Sequence, residues 1–253
     1  MSAAAPLVVV TAPAGALADE ICAALIRTGL HAERRPLLTF GPPTDWAPVD
    51  EAVHNLSRYH AVAFTSPRAA RAFTERASEV VPAFAPPIWA SGAATAAAVG
   101  SSLGAVHLPE SSGSDGAGAA LARAMIVAGV GSPVLFPCGD RRRDELPDGL
   151  TAAGRRVDAV ICYRTVLAEL AAALAAARGA DLLVVTSPSV VERLAAAVLP
   201  AERPRVVAIG PTTAAASRAA GWVPAAIADE PTPAGVVDAV RRAIGHPSFP
   251  EAT

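Results

Sequence analysis

The residues best equipped for chemistry are hydroxyls and arginines that recur in matching settings. Thr65-Ser66-Pro67 and Thr186-Ser187-Pro188 each follow a short apolar run. A hydroxyl followed by proline is helix-start chemistry, because the side-chain oxygen accepts an orphan amide and the proline presets φ. Capping alone explains one such loop. Both loops, with Ser91-Gly92-Ala93-Ala94-Thr95 and Gly210-Pro211-Thr212-Thr213, make a set of helix N-termini at the carboxyl edges of parallel sheets, where amides favour anions. Gly139-Asp-Arg-Arg-Arg-Asp-Glu-Leu146 puts three guanidinium groups at a strand-to-helix junction. Such a run is ordinarily a solvated helix start, but at that sheet edge Arg141 to Arg143 become carboxylate partners. Tyr163, one of two tyrosines, ends the run Val157-Asp-Ala-Val-Ile-Cys162. An amphipathic strand end is a common place for tyrosine; in an exchanged two-domain arrangement it stands at the crossover and faces the cleft.

Other chemistries are excluded by composition. All 21 basic residues are arginine, which removes Schiff bases, pyridoxal phosphate attachment and the P-loop lysine. Cys22, Cys138 and Cys162 lie far apart, and the five histidines form no His-x-x-x-His pair, so neither a zinc site nor a disulfide framework is expected. No Gly-x-Ser-x-Gly, catalytic triad or paired-carboxylate motif occurs, and no Gly-x-Gly-x-x-Gly lies in a dinucleotide-binding context. Ser112-Gly113-Ser114-Asp115-Gly116 reads as a loop before a helix. A net charge of −2 and 4% aromatic residues leave no footprint for nucleic acid. Mean hydropathy is +0.38, but it comes mostly from alanine, and the long apolar runs are all interrupted before a bilayer-spanning length. With no basic region ahead of Met1–Pro6, a cytoplasmic protein without a signal peptide is expected.

These loops must be positioned by alternating β and α elements. Short β-branched runs alternate with alanine-rich amphipathic stretches, the pattern of βα units around parallel sheets. Strands are expected at Leu7–Thr11, His31–Leu37, Ala61–Thr65, Ile88–Ser91, Ala105–Leu108, Val134–Pro137, Arg156–Cys162, Asp181–Thr186, Arg205–Ile209 and Val223–Ile227. They divide into two five-stranded sheets. Helices are expected at Ala16–Thr28, Pro67–Ala77, Leu167–Arg178, Pro188–Val198, Thr212–Ala220 and Pro233–Ile244.

An internal repeat supports the division. His60-Ala-Val-Ala-Phe-Thr-Ser-Pro67 resembles Leu182-Leu-Val-Val-Thr-Ser-Pro188, Trp89-Ala-Ser-Gly92 resembles Val207-Ala-Ile-Gly210, and Pro6-Leu-Val-Val-Val10 resembles Pro133-Val-Leu-Phe136. The Pro-rich stretch Phe40-Gly-Pro-Pro-Thr-Asp-Trp-Ala-Pro48 reads as a connector, whereas Gly129-Val-Gly-Ser-Pro133 is no longer than an ordinary loop. The expected domains are therefore 1–38 with 166–253, and an inserted 39–165.

Phe64-Thr-Ser-Pro-Arg-Ala-Ala70, the arginine run continued to Leu150, Val160-Ile-Cys-Tyr-Arg-Thr165, Val185-Thr-Ser-Pro-Ser189, Ile209-Gly-Pro-Thr-Thr-Ala214 and Pro231-Thr-Pro-Ala-Gly-Val-Val237 follow one another in a specific order. In that order and spacing the chain resembles the uroporphyrinogen-III synthase family over nearly its whole length. It departs from the family at Thr11-Ala12-Pro13, where many members carry arginine in the middle position. The resemblance implies two flavodoxin-like α/β domains joined by a two-stranded connector, and a cofactor-free lyase acting on the octacarboxylate hydroxymethylbilane. It makes Tyr163 the candidate for the leaving hydroxyl's proton. It places Ser187, Thr212 and Thr213 beside the substrate, with Ser66 and Thr95 as their first-repeat counterparts; Thr65 and Arg143 join the expected substrate-binding set from the loop readings above. The implied partner is this small molecule, with no metal, nucleic acid or membrane; a monomer, in transient contact with the bilane-forming enzyme, is the simplest assembly. The competing reading is a non-catalytic hinged binder of an anionic ligand that uses the same loops.

Overall fold

The computed structural model describes residues 5–80, 86–100, 105–110 and 116–245. The loop expected at 112–116 lies outside them except for Gly116. In chain order the first half contains β1 (Leu7–Val10), α1 (Ala16–Arg27), β2 (His31–Arg34), β3 (Leu38–Gly41), α2 (Ala47–His54), β4 (Ala61–Phe64), α3 (Pro67–Val80), β5 (Ile88–Ala90), α4 (Ala93–Val99), β6 (Val106–His107) and α5 (Ala117–Val127). The second half contains β7 (Val134–Gly139), α6 (Glu145–Ala152), β8 (Val157–Leu167), α7 (Leu170–Ala177), β9 (Leu182–Val185), α8 (Pro188–Ala197), β10 (Arg205–Ala208), α9 (Pro211–Ala219), β11 (Ala226–Ile227) and α10 (Pro233–Ile244). The chain folds as two compact units, Met1–Thr39 with Val166–Thr253, and Phe40–Thr165.

The sheet of the first unit has the order β11-β10-β9-β1-β2, with parallel pairing throughout. Its central strands, LVVV and LLVV, are apolar without alternation because helices cover both faces of a parallel sheet. On one face Val8, Val10, Leu182 and Val184 pack with Ile21, Leu25, Val236 and Val240 of α1 and α10. Thr11 closes the β1–β9 seam: its N–H and Oγ1 both donate to the Val184 carbonyl, at 3.1 and 2.9 Å.

The sheet of the second unit has the order β3-β8-β7-β4-β5-β6, parallel from β8 to β6. Along β4, Val62 and Phe64 pack with Phe73 of α3 on one face, while Ala61 and Ala63 pack with Leu121 and Met125 of α5 on the other. This is the period-two alternation of a strand buried on both sides.

Two expectations are corrected. The sheets have five and six strands rather than five each, and the extra one is β3, which starts just past the strand expected at His31–Leu37 and runs into the stretch read as connector. Pro36 cannot donate to a ladder, so β2 ends before it and a separate strand starts after it. The second correction concerns β8, which runs to Leu167 rather than ending at Cys162, and so offers β3 a neighbour.

The duplication is visible in the topology. β1 and β7 occupy corresponding places, with β2 and β8 on one side and β9-β10-β11 and β4-β5-β6 on the other. Each sheet therefore has one point where the winding reverses, between β1 and β9 and between β7 and β4. Ligands of open α/β sheets bind at the carboxyl ends of strands flanking such a point.

Candidate functional site

Tyr163 stands at the reversal point of the second unit, and a break in the ladder puts it there. β7 and β8 pair in register from Val134 with Val157 to Cys138 with Ile161, after which Gly139 pairs with Tyr163. Cys162 is thus an extra residue on β8, a bulge that re-aims the side chain following it. Cys162 turns into the core at 1% exposure, while Tyr163 lies across Gly139. A Cβ at residue 139 would stand 2.5 Å from Tyr163 Cζ and 2.7 Å from its Oη. Only glycine leaves room for the ring.

Neighbouring contacts fix the tyrosine's surroundings. Its carbonyl accepts from the Asp140 N–H at 3.1 Å, and the Thr165 N–H donates to Asp140 Oδ1 at 2.8 Å. Arg164 Nε donates to the Pro42 carbonyl at 3.0 Å. The Phe40 ring meets Tyr163 edge to face, with centroids 5.7 Å apart. Arg68 stacks on the other aromatic surface, its Cζ 3.6 Å from the Phe40 centroid and 5.9 Å from that of Tyr163. Burial pulls the Arg68 guanidinium below its ordinary value, opposed by Tyr163; it stays cationic at any working pH. Among the described residues, no carboxylate pairs with it.

Two hollows flank the ring. The larger, about 820 Å³, is lined by Phe40, Trp46, Ser66, Arg68, Arg71 and Tyr163 among others. The smaller, about 220 Å³, lies between the carboxyl ends of β4 and β7 and is lined by Thr65, Ser66, Gly139, the arginines 141–143, Glu145 and Tyr163 among others. Arg142 is paired with Asp144 at 3.3 Å, whereas Arg141 and Arg143 have no carboxylate partner among the described residues. The combined walls offer guanidinium groups, hydroxyls, aromatic faces and one phenol, together with the carboxylates of Glu75, Glu79 and Glu145, of which Glu79 is paired with Arg76. That set binds carboxylates and flat rings and can give a proton. The nearby thiols do not contribute, because burial pushes Cys138 up to about 11 and Cys162 up to about 12, leaving both protonated. No group of three metal-ligating side chains occurs among the described residues.

The structure gathers Thr65, Ser66, Arg143 and Tyr163 around the smaller hollow. Ser66 also starts α3, its Oγ accepting from the N–H groups of Arg68 and Ala69 at 3.2 and 3.4 Å; its own O–H remains available to a ligand. Thr95 belongs to the same unit but lies buried in the first turn of α4 at 4% exposure, and lines neither hollow. Ser187, Thr212 and Thr213 belong to the other unit. Ser187 Oγ accepts from Val190 N–H at 3.3 Å and caps α8, while Gly210, just before α9, leaves that helix with no side-chain cap. Thr212 is exposed there and Thr213 is buried, at 4% exposure. Sequence reasoning missed Arg68 and Phe40. Arg68 directly follows the Thr-Ser-Pro motif, a usable signal, whereas Phe40 had none.

The uroporphyrinogen-III synthase HemD family model matches residues 19–238. Among solved structures, a mutant uroporphyrinogen III synthase from the extremely thermophilic bacterium Thermus thermophilus is 17% identical with a TM-score of 0.57, covering 95% of this chain and 99% of its own. Uroporphyrinogen-III synthetase from Helicobacter pylori is 15% identical with a TM-score of 0.59, covering 93% and 98%. These likenesses show the shared fold. A search of curated proteins finds no match. With the family model spanning both units and the site between β4 and β7 built from the residues that carry the resemblance, the chain belongs to the uroporphyrinogen-III synthase family.

Proposed function

We propose that the chain closes hydroxymethylbilane to uroporphyrinogen III as a cofactor-independent lyase, with Tyr163 supplying the proton for the departing hydroxyl. The substrate's terminal hydroxyl leaves as water and an azafulvene forms. The substituted α-carbon of ring D attacks it, and the spirocyclic intermediate fragments and recloses with ring D inverted. The single observation that carries the assignment of roles is the seating of Tyr163 on Gly139 between two arginine-lined hollows. Phenols act as general acids within hydrogen-bond reach of a leaving group. Arg68, Arg141 and Arg143 receive carboxylate arms, Thr65 and Ser66 donate hydroxyls, and Ser187 and Thr212 do the same at the equivalent edge of the first unit, with Thr213 buried behind them in the first turn of α9. Thr95 supports its loop from within. Because electron-rich pyrroles react readily, the protein's main contribution is to orient the chain ends so that spiro closure outruns simple head-to-tail closure.

The test is to supply freshly generated hydroxymethylbilane, oxidise the products and separate uroporphyrins I and III. Isomer III should exceed the protein-free control without added metal or nucleotide, and a chelator should leave the rate unchanged. Isomer I alone, at the spontaneous rate with folded protein, overturns the proposal. Tyr163→Phe should lower kcat by about a hundredfold, the low end of general-acid effects. Thr213→Val should cost only about fivefold, the scale of one neutral hydrogen bond. An unchanged kcat in Tyr163→Phe removes the proton-transfer role.

A further inference from the structure

Beyond Gly139, β7 ends while β8 continues to Leu167, so after Tyr163 the strand loses its partner on the β7 edge, keeping only β3 on the other, at the residue expected to do chemistry. Asp140 takes the ladder's place. Its N–H donates to the Tyr163 carbonyl at 3.1 Å, and its carboxylate accepts from the Thr165 N–H at 2.8 Å. One residue thus holds β8 on both sides of Arg164 and fixes the strand that presents the phenol. Charge does not explain the arrangement. Asp140 is followed directly by three arginines, yet among the described residues its carboxylate forms no ion pair, and Arg142 goes to Asp144 instead. The oxygen is committed to a backbone amide, a charge-assisted bond stronger than the neutral ladder bond it replaces. Asp140 is exposed, so neither core packing nor the need to satisfy a buried group accounts for the contact.

We propose that Asp140 is a positioning residue for the reaction, clamping the bulged end of β8 so that Tyr163 stays seated on Gly139 with its hydroxyl directed to the leaving group. The proposal rests on the assignment of Tyr163 as proton donor, and its test separates the two. Without the carboxylate contact, the Tyr163–Thr165 stretch, still held by β3 on its other edge and by the Asp140 N–H, shifts against β7 and the phenol loses its aim; misplacement by about 1 Å costs up to about a hundredfold in rate. Substrate binding draws on many other donors and should change little.

With only two tyrosines in the chain, 3-fluorotyrosine incorporation gives one ¹⁹F resonance each for Tyr59 and Tyr163, assigned with Tyr59→Phe. Asp140→Ala should shift or broaden the Tyr163 resonance alone, lower kcat by about 10- to 100-fold with KM within about twofold, and raise the share of isomer I. Asp140→Asn keeps the Oδ1 acceptor and should restore both the resonance and most of the rate. Asp140→Ser, too short to reach Thr165, repeats the alanine result if the alanine variant does not fold. In a Tyr163→Phe background, Asp140→Ala should cost nothing further. An unmoved Tyr163 resonance in Asp140→Ala and Asp140→Ser overturns the clamp, as does an asparagine variant as impaired as the alanine one. A moved resonance combined with an unimpaired Tyr163→Phe enzyme keeps the clamp and overturns the proton-donor role.

Discussion

Tyr163 owes its place to three neighbours with different duties. Gly139 leaves space under the ring, Cys162 supplies the extra residue that turns the strand, and Phe40 packs edge to face on the phenol while holding the Arg68 guanidinium over its own face, 5.9 Å from the Tyr163 centroid. The sequence marks Tyr163 by its scarcity and its apolar alternating run, and Arg68 by its motif. It does not mark Gly139 as the floor of the ring, because nothing local says that residues so far apart in the chain will touch. The cysteines allow a test at this scale. Cys22 is half-buried and its thiol is raised chiefly by burial, with Arg34 pulling the other way, whereas Cys138 and Cys162 are buried with much larger shifts. Alkylation by iodoacetamide at about pH 8 should therefore reach Cys22 first and the other two only in denaturant. Mass spectrometry of the native protein gives the order, and early labelling of Cys162 would show that the bulge opens.

At the level of elements, a chain without lysine uses arginine wherever helices must be tied. Arg35 Nη1 donates to the Ala175, Ala176 and Arg178 carbonyls at the end of α7. Arg203 reaches Ala195 and Val198 by α8 and Ala220 and Gly221 by α9. Such a planar fork satisfies several orphan carbonyls at once. Arg76 of α3 grips both Asp50 oxygens of α2 at 2.7 Å and Glu79 at 2.8 Å, over the face of Trp46. The hydrogen bonds from Arg76 hold the Asp50 carboxyl below its ordinary range. Its contribution to stability is therefore full above the unfolded-state value and is lost as pH falls through the depressed folded one. Denaturant unfolding of the protein and of Asp50→Asn should differ at about pH 6 and converge as the solution is acidified below about pH 3. A gap that persists in acid would mean that packing, not charge, ties α2 to α3.

Across the whole molecule, each unit has its own core, and large side chains in both are fully covered. Phe73→Ala in the second unit should cost about 3–5 kcal/mol, and Ile21→Ala in the first about 2–5 kcal/mol, by cavity formation. Denaturant titration followed by a probe in each unit measures both. Sequence alone determined the α/β class, the alternation of strands and helices, the helix starts at Pro67, Pro188 and Pro233, the duplication and the family, because hydrophobic period, proline and capping chemistry act over a few residues. It also pointed to Thr65, Ser66 and Arg143 in strand-to-helix loops, and to Tyr163, read as a strand end but seated within β8. Tertiary structure alone decided that Leu38–Gly41 is a sixth strand beside β8, that a bulge seats Tyr163 on Gly139, and that Asp140 closes the ladder behind it. Those features depend on hydrogen bonds and steric fit between segments distant in the chain, and no pattern within a single segment encodes which distant partner it will meet.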